Sequence, residues 1–210
     1  STGQDAEALA AKVRKEWGLG RQPILSVYEL LEEHGIKVIE WKGPEKFFGL
    51  HAKVEGHVVV VLNQSHNNEM KRFTAAHELG HALMRMPADM PENESEKLCH
   101  RFAAALLIPP DEFRREIGAT RAKLWLNELV ILKKYWGISV GALMRRALDL
   151  EVIKLSLYKW LCIQYARQRW RENEPGVYEY RERTVRFKQL LLHALAKEAI
   201  SLSEGASLSN

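Results

Sequence analysis

Residues 67–86 read NNEMKRFTAAHELGHALMRM, and Pro87 follows. Apolar residues recur there at helical spacing, directly after a run of strand-forming residues, so the period changes from two to 3.6 at Asn67. Inside this helix lies His77-Glu78-Leu79-Gly80-His81. Side chains four apart leave a helix from one face, so His77 and His81 can hold one metal ion together. Glu78 sits beside that ion and can take a proton from a water that zinc makes acidic. The spacing is that of the zincin active-site helix. The competing reading is a surface helix with two incidental histidines. The strand-rich segment upstream and the length of the helix favour the metal.

A catalytic zinc needs a third protein ligand and keeps one position open. No third histidine follows at the spacing that other HExxH families use. The next helix, roughly 94–108, offers Glu94 and Glu96. Glu96 shares a stripe with Cys99, His100, Ala103 and Leu107, whereas Glu94 shares its face with Arg101 and Ala105. Glu96 is therefore preferred. His100, one turn on, is a candidate second-shell partner for a ligand histidine, or the ligand itself. Cys99 lies on nearly the Glu96 face, where a thiolate could close the open zinc position. The plainer reading is a small buried residue.

Upstream, residues 5–17 have helical periodicity. Ser26 and Glu29 have capping-box spacing before YELLEEH, and Gly35 is a natural stop. IKVIEW, FFGLHAK and HVVVVLN read as about three strands of a small mixed sheet. Downstream, the pattern is helical at roughly 111–117, 121–136, 140–149, 152–171 and 183–200. Glu174-Pro175-Gly176 reads as a turn, and the last ten residues as a frayed tail.

Of the 210 residues, 46% are hydrophobic, enough for a substantial core. No apolar run approaches the roughly 18 residues that span a bilayer, and no signal peptide is visible. Two cysteines are too few for a disulfide framework. The expectation is a cytoplasmic protein without a membrane partner. Charge is uneven. Residues 1–110 carry 13 Lys/Arg against 15 Asp/Glu, whereas residues 121–170 carry 10 against 3. A basic second half points to an anionic partner or to a solvated helical surface.

Two blocks, RFTAAHELGHALM at 72–84 and ESEKLCHRFAAALLIP at 94–109, are similar to the ImmA/IrrE metallopeptidases of bacteria and their mobile elements. The resemblance extends to PILSVYELLEEHGIKV at 23–38, HVVVVLN at 57–63 and LKKYWGISVGALMRRALDL at 132–150. It implies that Glu96 is the third ligand of a single zinc ion. It puts His100 where the family has Asn or Asp. It also implies cleavage of a helix-turn-helix repressor in response to DNA damage or in the control of phage and mobile elements.

Residues 125–136, the turn Gly137-Ile138-Ser139 and residues 140–149 have helix-turn-helix character. Arg145 and Arg146, then Arg167, Arg169 and Arg171 with Tyr165 and Trp170 interleaved, suggest contact with nucleic acid. Unpaired strands suit them best, because arginines hold phosphates and aromatic rings stack on bases, and single-stranded DNA could activate cleavage. The overall expectation is an α+β fold. A zincin-like core occupies residues 1–110, with a small mixed sheet and the HExxH helix, and a basic all-helical region follows at 111–210. The expected activity is zinc-dependent proteolysis of a specific protein. The rivals are a DNA-binding regulator with a structural zinc site and a partner-binding module with little catalysis.

Overall fold

Asn67 marks the passage from sheet to helix. Its side chain accepts from the Met70 amide and caps the helix that carries the histidine pair. In the computed structural model, which describes residues 2–208, the order is α1 (Gly3–Glu16), α2 (Val27–Glu33), β1 (Lys37–Trp41), β2 (Gly49–Val54), β3 (His57–Asn63), α3 (Asn68–Leu83) and α4 (Glu92–Leu107). There follow α5 (Pro110–Ile117), α6 (Leu126–Trp136), α7 (Val140–Asp149), α8 (Leu155–Arg167), α9 (Arg186–Ala196) and α10 (Leu202–Leu208). The fold is α+β, a zincin-like core followed by helices.

The sheet has the order β1-β3-β2, with β1 parallel and β2 antiparallel to β3, so β2 is an edge strand. Val60 and Leu62 of β3 are fully buried, and α3 packs against both β2 and β3. On its other side α3 packs along α4, which in turn lies against α1 and α7. Close approach of α3 and α4 depends on Gly80. A Cβ there would meet Phe102 Cδ1 at 3.0 Å and the Cys99 Cα at 3.4 Å. One cluster of buried apolar residues runs from Ala6 through Phe102 and Trp136 to Leu161, across position 110.

Several boundaries differ from the periodicity, each for a local reason. Helix α6 starts at Leu126 rather than 121, because the Glu128 carboxylate folds back onto the Trp125 amide and onto Arg121. Helix α8 starts at Leu155 rather than 152, because Val152 and Ile153 are buried and bond back to the Ala147 carbonyl. It ends at Arg167, and Arg169 has a positive φ of 56°. Leu202–Leu208 is helical where a frayed tail was expected. The Ser201 and Glu204 side chains cap it reciprocally, and Gly205 packs against Leu195 of α9. The last two tail residues lie outside the described range.

The α2 start is capped differently from the Ser26–Glu29 expectation. Ser26 does accept from the Glu29 amide. The second partner is Glu182, more than 150 residues away, whose carboxylate accepts from the Val27 and Tyr28 amides and from Ser26 Oγ. Glu182 closes an extended strap, residues 174–182, that crosses α3. Along it, Tyr178 is buried, donates its amide N–H to the Glu69 carboxylate and its hydroxyl to the carbonyls of Ile24 and Leu25. Arg72 of α3 is fully buried beneath this strap. It pairs with Glu182 at 3.3 Å, donates to the Ile24 and Leu25 carbonyls and lies 4.3 Å over the Tyr178 ring. Among the described residues, no helix is long and apolar enough to cross a membrane.

Candidate metal centre

Helix α3 presents His77 and His81 one turn apart, and α4 brings Glu96 across from them. His77 Nε2 and His81 Nε2 lie 3.1 Å from each other. The Glu96 carboxylate reaches both, Oε2 at 3.2 Å from His77 and Oε1 at 2.9 Å from His81. Ligand atoms about 2.1 Å from a tetrahedral zinc lie about 3.4 Å from one another, so the three donors fit such an ion with little adjustment. Burial pushes the His77 pKa down to about 3, helped by His100, His81 and His51 nearby. His77 is therefore neutral at ordinary pH, the form that binds a metal.

His77, Glu96 and His100 form a second group, with ligand atoms within 4.8 Å of one another. The His77–His81–Glu96 set has separations of 2.9 to 3.2 Å, which match the edge of a tetrahedral ion. His100 Nδ1 donates to the Glu96 main-chain carbonyl at 2.7 Å, and its ring stands edge-on to His77 with centroids 4.4 Å apart. It makes no hydrogen bond to His77, whose buried Nδ1 has no partner among the described residues. Glu94 is exposed and does not reach the centre.

Glu78 is buried next to His77, and its Oε2 accepts from His51 Nδ1 of β2 at 3.0 Å. The His51 ring stacks on that of His81, with centroids 5.5 Å apart and planes 9° from parallel. Sequence reasoning missed His51. The signal was faint: a polar ring inside FFGLHAK, two residues after a glycine.

Cys99 is fully buried beside Gly80, and burial together with Glu96 and Glu78 raises its thiol pKa to about 12. In the metal-free protein the thiol is buried and packs at the α3–α4 contact. The position on the Glu96 stripe does not bring it into the cleft.

A cleft of about 1130 Å³ opens over the centre. One wall is β2, α3 and α4. The other is α7, α8 and the turn after it, including Arg145, Trp170 and Arg171. The helix-turn-helix-like segment thus forms a cleft wall. The arginines proposed for nucleic acid do not make one surface. Arg146 is 1% exposed, paired with Glu7 and bonded to the Ile108 carbonyl, so its guanidinium is engaged within the fold. Arg145 pairs with Asp149 at 2.9 Å, and Arg169, on the outside, with Glu172 at 3.2 Å. Arg171 faces the cleft, and Arg167 is exposed at the end of α8. Tyr165 donates to Glu174 at 2.8 Å and packs edge-on against Trp170, so the two rings are engaged with neighbours in the cleft wall.

The chain is 29% identical over 91 residues to "Uncharacterized immunity region protein 2" of Bacillus phage phi105, a match covering 39% of this chain and 58% of the phage protein. A solved structure titled "Mycobacterium tuberculosis transcriptional regulator" shares the fold with a TM-score of 0.51 at 18% identity, over 68% of this chain and 46% of that one. The chain spans about half the length of these two proteins. The sequence model of the Peptidase_M78 family, the IrrE N-terminal-like domain, matches residues 31–148. That stretch is more than half the chain and includes β1 to β3, the histidine pair and Glu96, and the chain belongs to the Peptidase_M78 family.

Proposed function

We propose that this protein is a zinc-dependent endopeptidase with one zinc per chain, held by His77, His81 and Glu96. The observation that carries the reading is the convergence of two neutral-capable imidazole nitrogens and one carboxylate within 3.2 Å, beside a buried glutamate at the floor of a large cleft. When bound there, zinc supplies Lewis acidity that polarises a peptide carbonyl and acidifies a water. Glu78 is the general base. It removes a proton from the water as the water oxygen bonds to the carbonyl carbon, and returns that proton to the departing amide nitrogen as the C–N bond breaks. A structural zinc site would enlist a fourth side chain and has no use for an adjacent glutamate or an open cleft. For that reason the regulator and binding-module readings are weaker.

The substrate we favour is a protein, specifically a helix-turn-helix repressor acting in phage or mobile-element immunity. The phage immunity-region relative and the transcriptional-regulator neighbour support this, and a cleft of about 1130 Å³ has room for a peptide segment. The structure offers little support for activation by single-stranded DNA. Arg146 is buried, and Tyr165 and Trp170 are engaged with each other.

The test is to incubate the zinc-loaded protein with a helix-turn-helix protein encoded beside it and to analyse fragments by mass spectrometry, against Glu78→Gln. One discrete cut by the wild type alone is expected. Identical fragments with both proteins, or an intact target with both, would contradict the assignment.

A further inference from the structure

His51 is an extra polar group aimed at the reacting centre, and the fold aims it by a simple match of repeats. Gly49 of β2 faces α3 so closely that a Cβ would meet Thr74 Cγ2 at 2.8 Å. His51 is two residues on, so it projects from the same face of the strand as Gly49. Glu78 is four residues beyond Thr74, one helical turn along α3. Two strand residues advance about 6.6 Å and four helix residues about 6.0 Å, so the pair 49/74 is followed in register by the pair 51/78. The missing side chain at Gly49 lets the strand come close, and the imidazole at 51 fills the next gap.

We infer that His51 is a positioning residue for the proposed peptidase: its Nδ1–H holds Oε2 of Glu78 and leaves Oε1 to face the water. The inference rests on the peptidase reading for its meaning, though not for its geometry. An ionised carboxylate can only accept, so at 3.0 Å the proton belongs on His51 Nδ1. Nε2 is then the ring's acceptor. A charge-assisted bond of this kind restricts the carboxylate to one rotamer, and the parallel stack on His81 restricts the imidazole. A general base turned away from its water costs about 100-fold in rate even when it stays within an ångström of its place. The Glu78 side chain is one-tenth exposed and that of His51 one-third, so the bond is partly shielded from water within the cleft.

Two measurements test this, one of them without any substrate. Long-range 1H–15N correlation spectra of the zinc-loaded protein should show neutral His51 as the Nδ1–H tautomer, and Glu78→Ala should return it towards the Nε2–H form that free histidine prefers. A wild-type Nε2–H tautomer, or one that ignores Glu78→Ala, overturns the inference. Cleavage of the partner repressor, with labelled casein as a general probe, supplies the second. His51→Ala should lower kcat by about 10- to 100-fold with KM within about twofold and zinc content unchanged. His51→Asn, whose amide N–H falls where Nδ1–H was, should recover most of the loss, and His51→Gln should not. Wild-type kcat in His51→Ala, or equal recovery by Asn and Gln, also overturns it. If the wild type cuts neither protein while the Nδ1–H tautomer is present, the peptidase reading fails and the contact stands.

Discussion

The metal centre and the strap at 174–182 lie on the same helix, α3, and are built by opposite means. At the centre, His77 and His81 are one turn apart on one helix, and Glu96 comes from the next helix in the chain. Under the strap, Arg72 is closed in by Glu182 and Tyr178, both more than 100 residues away. Local repeats therefore place the chemistry, and long-range ion pairs hold the scaffold around it. The two parts should fail separately when altered. Loss of a strap partner should lower the stability of the protein, and loss of a reacting group should leave it stable and silent.

The strap gives the largest expected effect. Glu182→Ala strands the buried Arg72 guanidinium and frees the Val27 and Tyr28 amides. Removing one partner of a buried pair typically costs about 3–5 kcal/mol. For a chain of this size that lowers the Tm by roughly 10 °C. A shift of only a degree or two in thermal unfolding would show that the strap is dispensable and dissolve the contrast.

Glu78→Gln is the complementary variant. It keeps size and shape and removes the base, so cleavage should fall about 100-fold or more, equivalent to about 2.7 kcal/mol of barrier. Zinc by elemental analysis and the Tm should stay near wild type. Retained cleavage would remove Glu78 from its role, and lost zinc would show that this glutamate belongs to the scaffold.

A smaller effect is expected from pH in the metal-free protein. The folded His77 pKa is depressed to about 3, against an unfolded value near 6.5. The unfolded chain therefore binds the extra proton. His77 contributes its stability above pH 6.5 and loses it progressively as pH falls towards 3. The loss should approach about 1.4 kcal/mol per pH unit between pH 6 and 5, before most carboxylates titrate. Urea titrations of EDTA-treated protein measure it, and His77→Asn should flatten the slope. The same slope in that variant would assign the proton elsewhere.

Cys99→Ala should do least. The thiol is buried and neutral, so the loss is about 1 kcal/mol of packing, with zinc content and cleavage unchanged. A rise in basal cleavage would restore the inhibitory-ligand reading and give this residue a place in the chemistry after all.

The same contrast explains what was legible in the sequence. The histidine pair, the three strands and the α3 and α4 spans follow from periods of two and 3.6, which are local. Glu96 could be preferred over Glu94 because the two fall on different faces of one helix. His51 could not be found that way, since its partner is 27 residues on and its register depends on how closely Gly49 lets β2 approach α3. Arg146 reads as a basic surface residue, until Glu7 at the other end of the chain buries it. Glu182 reads as one more charge in a polar run, until it becomes the cap of α2. In each case the deciding neighbour is distant in sequence, and spacing carries no record of it.

The central claim is the identity of the three ligands, and anomalous diffraction at the zinc edge tests it most directly. One peak per chain is expected, within about 2.0–2.2 Å of His77 Nε2, His81 Nε2 and a Glu96 oxygen. A peak bounded instead by His77, Glu96 and His100, or crystals grown with zinc that show none at this centre, would contradict the account.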